Sequence, residues 1–275
     1  MAISKSRFML QGLLLALGLL TRIPIPLQQL PSNIDASLKT VSAIFYPVVG
    51  AIIGCLLCVF LLLLLQFFPA SFSPLVQAAL VLFLWVMVTG AIHLDGLADA
   101  VDAAFASHKS PERALAVFRD PSAGPMAVVA VVLLLIMKLA MIESLLIYDN
   151  DSDSYYSCIA IVAASTLSRL NGLIFMANTP YARQDGLAAN IILDAYQKII
   201  IIFVLLSFTL LWLLTHFFTS LLIILMLGAW ALYWRSFWLK KINGYTGDCV
   251  GALIEVSELI TLFICLWLVP STSGL

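Results

Sequence analysis

Charged residues are scarce in this sequence of 275 residues. Asp, Glu, Lys and Arg together make up 11% of it, whereas soluble domains have roughly a quarter. The formal net charge is −1, so no overall basic field is present that would attract nucleic acid. These values exclude an ordinary soluble domain, and they make each remaining cluster of charge informative.

The sequence also lacks the signatures of several common sites. We find neither a Ser-His-Asp order nor a zinc-ligand spacing. Cys55 and Cys58 form a single Cys-x-x-Cys pair inside an apolar run, with no second pair and no nearby histidine. They are interpreted as small buried hydrophobic residues, and the five cysteines imply no disulfide framework.

Hydrophobic residues, in contrast, make up 63% of the chain. Several apolar runs reach the roughly 20 residues that a helix needs to cross a bilayer. The sequence therefore predicts an all-α polytopic integral membrane protein, with a single membrane-embedded domain over residues 1–275 and about seven transmembrane helices. The spans that we predict are 41–65, 74–92, 125–147, 156–177, 197–216, 219–238 and 252–269.

The N-terminal run 8–20 is too short to span comfortably, and Lys5 and Arg7 precede it. We expect a short re-entrant or interfacial helix there, with a cleavable signal peptide as the alternative. Lys and Arg occur in every second loop, which places those loops on the cytoplasmic side and the C-terminus outside. In the first apolar span, the spacing of Gly50 and Gly54 predicts close helix packing.

Three acids follow the predicted span 74–92. Asp95, Asp99 and Asp102 recur at i, i+4 and i+7, so a helix would place them on one face. Like charges in such a stripe repel one another unless a cation binds, and oxygen-only ligands suit Mg²⁺ best. The alternative is a solvated helix face just beyond the membrane.

Three further polar segments lie on the same predicted side. Asp120 either joins the metal site, if a short helix 103–119 folds back, or caps the next helix. Arg183 offers a guanidinium fork for phosphate oxygens, although it also fits the positive-inside rule alone. In the glycine-rich segment 244–251, the backbone around Thr246 and Gly247 could cradle phosphate where a helix opens, and Asp248 is a further metal-ligand candidate.

Charged residues within the spans should face the bundle interior, because lipid exposure is costly. Glu255 and Glu258 share one face of the last span. Lys138 and Arg169 contribute either to a structural ion pair with such glutamates or directly to substrate binding. For His93, the sequence is compatible with either ligand binding or capping of a helix end. Together the residues suggest a cytoplasm-facing Mg²⁺ site suited to phosphoryl transfer on a diphosphate.

Several segments in a fixed order indicate a family resemblance. They are Thr21-Arg22-Ile23-Pro24-Ile25-Pro26, Tyr46-Pro47-Val48-Val49-Gly50, His93-Leu94-Asp95-Gly96-Leu97-Ala98-Asp99-Ala100-Val101-Asp102, Arg119-Asp120 with Gly124, Lys138, Ser168-Arg169, Tyr181-Ala182-Arg183 with Gly186-Leu187, and Thr246-Gly247-Asp248 with Gly251-Ala252 and Glu255. Over nearly its whole length, the sequence thereby resembles the cobalamin synthase family, also called adenosylcobinamide-GDP ribazoletransferases. It departs from the family pattern at Pro121, Pro125 and Tyr245.

The resemblance implies an Mg²⁺-dependent enzyme of the bacterial inner membrane. A ribose hydroxyl of α-ribazole, or of its 5′-phosphate, would attack the cobinamide-side phosphorus of adenosylcobinamide-GDP and release GMP. Asp95, Asp99 and Asp102 would hold Mg²⁺. The proton acceptor would be Asp102, Asp120 or Asp248, and the substrate-binding residues would be Arg22, Lys138, Arg169, Arg183, Thr246 and Gly247. The lipid bilayer and the two substrates are the expected partners, and the sequence leaves a homo-oligomer open.

Two other functions compete with this one. A CDP-alcohol phosphotransferase also uses aspartates on membrane helices, but its signature has Ala-Arg two residues beyond Asp-Gly, where this chain has Leu97-Ala98-Asp99. A transporter would use the buried charges as an ion path. Transporters often contain internal repeats, which we do not find, and the acids here lie at one end of the spans.

Overall fold

The computed structural model describes residues 5–31, 33–68, 72–106, 110–118, 120, 122–152, 154–183 and 191–269. Helices dominate the described chain, with 3₁₀ turns at Leu27–Gln29 and Asp194–Tyr196. The α-helices are α1 (Lys5–Leu20), α2 (Ala36–Ile44), α3 (Tyr46–Phe67), α4 (Pro74–Thr89), α5 (Ile92–Ala106), α6 (Pro111–Val117), α7 (Pro125–Ser152), α8 (Tyr156–Ala177), α9 (Gln197–Leu214), α10 (Phe217–Ile242) and α11 (Gly247–Trp267).

Six of the described helical segments are long and apolar enough to cross a membrane, and a bent pair of helices would make a seventh span. The prediction of an all-α polytopic membrane protein is therefore confirmed. The six are α3, α7, α8, α9 with its preceding 3₁₀ turn, α10 and α11. Helix α1 has 16 residues, fewer than the roughly 20 of a typical span, which agrees with a short N-terminal element that does not cross.

Some predicted boundaries are wrong. The run 41–65 is divided at Phe45, because α2 ends at Ile44 and α3 begins at Tyr46. Pro47 lies in the first turn of α3, where its missing N–H costs no helical hydrogen bond. The last span begins at Gly247 instead of residue 252.

The bent pair consists of α4 and α5, and α5 carries the acidic stripe of Asp95, Asp99 and Asp102. Helix α4 ends at Gly90, which has a left-handed backbone with φ of 61°, and Ala91 follows with φ of 56°. Helix α5 then leaves at an angle of 83° to α4. The predicted helix 103–119 is also wrong, because α5 ends at Ala106 and α6 starts separately, with Ser110 Oγ accepting a hydrogen bond from Arg113 N at 3.2 Å.

Two central helices, α8 and α11, are the most buried spans of the bundle. Helix α3 packs against α8 where Gly50 and Gly54 remove side-chain bulk. A Cβ atom on Gly54 would lie 2.7 Å from Val162 Cα, and one on Gly50 would lie 2.9 Å from Thr166 Cα. The close packing predicted from this glycine pair is confirmed.

A second glycine contact places the acidic helix against α11. A Cβ on Gly96 would lie 3.0 Å from the carbonyl oxygen of Asp248, and one on Gly251 would lie 3.2 Å from His93 Cα. Since neither glycine has a side chain, the backbones of α5 and α11 meet directly. The first turn of α11 therefore lies beside the acids of α5.

Candidate active site

The three acids of the stripe lie together on α5, as the spacing predicts. Burial, and after it the nearby charges of Asp248, Asp95 and Asp102, raise the pKa of Asp99 to about 6, while Arg183 opposes the shift. Such mutual repulsion requires the carboxylates to be electrostatic neighbours. The stripe and the first turn of α11 therefore form one acidic cluster.

The donors of this cluster are carboxylate oxygens, which suit Mg²⁺. Asp102 is already held in place, because Gly124 N–H donates to its Oδ2 at 2.6 Å. Among the described residues, no three His, Cys, Asp or Glu side chains converge closely enough to enclose a metal ion. Mg²⁺ usually binds through one or two carboxylates, waters and substrate phosphates, so this open donor set fits a metal that binds with a diphosphate.

Two distant loops join beside the cluster. Ala182 N–H donates to the Tyr245 carbonyl at 2.9 Å, and Tyr245 N–H donates to the Pro180 carbonyl at 3.0 Å. This short parallel bridge brings Arg183 to the start of α11, with its Nη2 3.5 Å from Asp248 Oδ2. The sequence marked both loops as polar, but it contained no signal that they pair.

Arg183 is held from its other side by Phe118, the residue that follows α6. Its Nη2 donates to the Phe118 carbonyl at 3.2 Å, and its guanidinium lies 5.6 Å from the centre of the Phe118 ring. These contacts orient the guanidinium while leaving it partly exposed. A fixed, planar cation beside an acidic cluster is suited to holding phosphate oxygens between them.

The N-terminus of α11 adds backbone donors at the same place. Thr246 caps the helix, with its Oγ1 accepting from Cys249 N at 3.4 Å and donating to Asp248 Oδ2 at 3.1 Å. A Cβ on Gly247 would meet no atom within 4 Å, so space remains beside this backbone. The positive end of the helix dipole favours an anion there.

Asp120 lies in an exposed turn before α7. Its Oδ1 accepts hydrogen bonds from Ser122 N at 3.0 Å and Ser122 Oγ at 2.5 Å, and these bonds lower the pKa of Asp120. In the part of the chain that is described, no hydrogen bond or ion pair joins it to the acids of α5. Its neighbours Arg119 and Pro121 fall outside the described residues.

Arg22 lies over the bend between α4 and α5. Its backbone N–H donates to the Val88 carbonyl at 2.7 Å. The stem of its side chain occupies the space that a Cβ on Gly90 would take. The structure thus places Arg22 at the entrance to the acidic helix, with a direct contact to the backbone that sets the 83° bend.

Lys138 and Arg169 lie in a buried ion network. Lys138 Nζ is 2.5 Å from Glu255 Oε2 and also contacts Glu258. Arg169 Nη1 is 2.5 Å from Glu258 Oε1, and its Nη2 is 3.5 Å from His93 Nδ1. The two cations and two carboxylates balance one another, and they connect α5, α7, α8 and α11. This is the ion pairing that the sequence left open as an alternative to substrate binding.

These features define a multi-pass helical membrane protein with a cluster of acids, an arginine and a helix N-terminus at one end of its bundle. Residues 12–266 match the family described as cobalamin-5-phosphate synthase. The chain belongs to this family, and the resemblance inferred from the motifs is confirmed.

Curated relatives cover nearly the whole chain. The adenosylcobinamide-GDP ribazoletransferase of Alkalilimnicola ehrlichii is 36% identical over 96% of this chain and 98% of its own length. Proteins of the same name from Stutzerimonas stutzeri and Pseudomonas aeruginosa are 37% and 36% identical, covering 91% and 92% of this chain and 95% and 96% of their own lengths. No solved structure matches the chain.

Proposed function

We propose that the protein transfers the cobinamide-phosphate group of adenosylcobinamide-GDP to α-ribazole or its 5′-phosphate and releases GMP. The relatives carry the name of this reaction. The observation that carries the proposal is the meeting of the α5 acids with Asp248 and Arg183 at the N-terminus of α11. A diphosphate needs such a combination of metal-binding oxygens, a cation and backbone donors.

In the proposed reaction, a ribose hydroxyl oxygen attacks the cobinamide-side phosphorus. The bond from that phosphorus to the bridging oxygen breaks, and GMP leaves with the electron pair. We assign the hydroxyl proton to Asp248, because Thr246 and Arg183 orient its carboxylate in a partly exposed position. Arg183 and the free backbone at Gly247 would hold the phosphate oxygens.

Mg²⁺ is the cofactor that we propose, with Asp95, Asp99 and Asp102 as its candidate ligands. Bound there, it would neutralise diphosphate oxygens and stabilise the leaving phosphate. Asp102 is pre-positioned by Gly124, and a bound cation would favour ionisation of Asp99, which burial and three like charges oppose. Arg22 remains a proposed contact of the donor substrate at the edge of the site.

We assign Lys138 and Arg169 to the ion network instead of to direct phosphate binding, because two buried glutamates already balance their charge. Asp120 is left out of the proposed machinery for a different reason, since its carboxylate is engaged by Ser122 in an exposed turn. These two assignments remove Lys138, Arg169 and Asp120 from the substrate-binding and catalytic residues that the sequence suggested.

We further propose that the site faces the cytoplasm from the bacterial inner membrane. Lys240 and Lys241 lie in the last turn of α10, next to the start of α11 and on the same side as Arg183. Basic residues flanking membrane helices favour the cytoplasmic side.

The test is GMP release by the purified protein in detergent with lipid. We expect release only when adenosylcobinamide-GDP, α-ribazole and Mg²⁺ are all present, with loss on EDTA treatment and recovery on adding Mg²⁺. Release that proceeds unchanged in EDTA would contradict the metal assignment. Cytidylate release from a CDP-alcohol, or uptake of unchanged substrate into vesicles, would replace the proposed reaction with one of its two competitors.

A further inference from the structure

A cavity of about 430 Å³ opens directly beside the proposed phosphate site. Arg183, Gly247 and Asp248 contribute to its lining, so it is continuous with the groups just described. Its size lies in the range of pockets for small molecules. Most of the remaining lining is apolar or aromatic, and it includes Leu19, Leu20, Tyr46, Ile92, Met176 and Ile254.

His93 also lines this cavity, and its ring is almost fully buried, with 3% of the residue exposed. Its Nδ1 faces Arg169 Nη2 at 3.5 Å. A guanidinium can only donate hydrogen bonds, so Nδ1 must be the acceptor and the ring proton must be on Nε2. Within the described residues, Nε2 is buried without a hydrogen-bond partner.

The buried ion network holds Arg169 in its position next to His93. Arg169 Nη1 donates to Glu258 at 2.5 Å and to the Ser165 carbonyl at 2.9 Å, so the guanidinium cannot turn away from His93. The network thus selects the tautomer of His93, as second-layer partners do for other functional histidines. A buried donor without a partner is costly, and a ligand acceptor would remove that cost.

We propose that this cavity binds the aromatic base of the acceptor nucleoside and that His93 Nε2–H donates to the free ring nitrogen of that base. The inference rests on the proposed function. α-Ribazole is a benzimidazole riboside, whose flat apolar base carries one unsubstituted ring nitrogen. The apolar walls fit the ring, the buried and unpartnered Nε2–H of His93 fits its nitrogen, and Asp248, which also lines the cavity, would take the proton of the ribose hydroxyl.

The alternative occupant with a similar shape is the guanine base of the donor. Guanine presents several donors and acceptors along its edges, and each would need a partner when buried. Apart from the groups at the phosphate site, the polar side chains of the lining are His93, Lys39, Tyr46 and Tyr181, and none of these four is a carboxylate or an amide that would accept from the N1–H and amino groups of guanine. The acceptor base is therefore the better match, and His93 is a positioning residue for it.

Two acceptors test the hydrogen bond: α-ribazole and the corresponding dimethylindole riboside, in which a C–H replaces the free ring nitrogen. With the wild-type enzyme, we expect the KM for the indole riboside to be about ten- to a hundred-fold higher, the effect of one lost buried hydrogen bond. His93→Phe should raise the KM for α-ribazole by a similar factor and remove the preference between the two acceptors.

A second measurement distinguishes a role of His93 in positioning the acceptor base from a general structural effect of the substitution. In His93→Phe, the KM for adenosylcobinamide-GDP should stay at the wild-type value, and in His93→Gln the amide donor should restore part of the preference for α-ribazole. His216→Phe is the matched control, because His216 precedes α10 outside this cavity and is exposed. This control should leave all three KM values unchanged.

Equal KM values for the two acceptors with the wild-type enzyme would overturn the inference, and this comparison needs no variant to fold. A rise in the KM for adenosylcobinamide-GDP alone in His93→Phe would assign the cavity to the guanine instead, and would also overturn it. Both results presuppose GMP release by the wild-type enzyme. If α-ribazole supports no release at all, the proposed function itself fails.

Discussion

Four charged side chains are buried together in the centre of this membrane protein. An unpaired charge at the centre of a membrane helix costs at least about 2.5–3.5 kcal/mol. Lys138, Arg169, Glu255 and Glu258 avoid this cost by pairing at close range with almost no exposure. Because Glu258 contacts both cations, it is the residue whose charge the network needs most.

We predict that Glu258→Gln strongly destabilises the folded protein. The change leaves two buried cations with a single carboxylate, and breaking a buried pair from one side typically costs about 3–5 kcal/mol. The measurement is thermal unfolding in detergent, followed by size-exclusion chromatography after heating. Glu143→Gln is the matched control, because Glu143 is a partly exposed glutamate of α7. Equal melting temperatures for the two variants would contradict this description of the network.

Elements in this bundle are positioned by glycine contacts as much as by apolar side chains. The α3–α8 contact depends on Gly50 and Gly54, and the α5–α11 contact depends on Gly96 and Gly251. Membrane helices have little hydrophobic drive to associate, so close backbone packing supplies much of their affinity. The second contact is also what places the acidic stripe beside Asp248.

We predict that Gly54→Leu separates α3 from α8 and lowers the melting temperature, because its Cβ would lie 2.7 Å from Val162 Cα in the neighbouring backbone. Gly228→Leu on α10 makes the same chemical change where a Cβ meets no atom within 4 Å, and should be tolerated. Both variants can be compared by the fraction that stays monodisperse after heating. Aggregation of the Gly228 variant alone would show that the glycine contacts are assigned to the wrong helices.

The sequence predicts the helices of this bundle well where their position depends on hydropathy alone. The apolar runs predicted the spanning helices, and the i, i+4, i+7 spacing predicted the shared face of Asp95, Asp99 and Asp102. Hydropathy does not detect a change of direction within an apolar run, so the breaks at Phe45 and Gly90 were missed. Pro47 and Gly90 were the available local signals for these two breaks.

At the scale of the whole molecule, the site combines segments that are far apart in sequence. The bridge between Tyr181 and Tyr245 brings Arg183 to Asp248, and Gly124 holds Asp102. The chemistry of individual side chains is enough to predict candidate site residues from one sequence. The pairing of two distant loops leaves no local sequence pattern, so it cannot be predicted in that way. For the same reason, the sequence left ligand binding and helix capping open for His93, since neither the cavity nor the contact with Arg169 has a local sequence pattern.

The proposed orientation of the molecule leads to a topology prediction. Alkaline phosphatase is active only outside the cytoplasm, so a fusion after Thr215, between α9 and α10, should be active. A fusion after Asn243, between α10 and α11, should be inactive, because Lys240 and Lys241 retain that loop in the cytoplasm. The opposite pattern would place the acidic cluster on the outer side and contradict the proposed access of cytoplasmic substrates.

The central claim is that the acids of α5 perform the chemistry, and one substitution tests it most directly. Asp99→Asn should abolish Mg²⁺-dependent GMP release while leaving the melting temperature at or above the wild-type value, because it removes the repulsion among the carboxylates. Asp35→Asn is the matched control, since Asn caps α2 as well as Asp does. A folded Asp99→Asn variant with wild-type release would contradict the account.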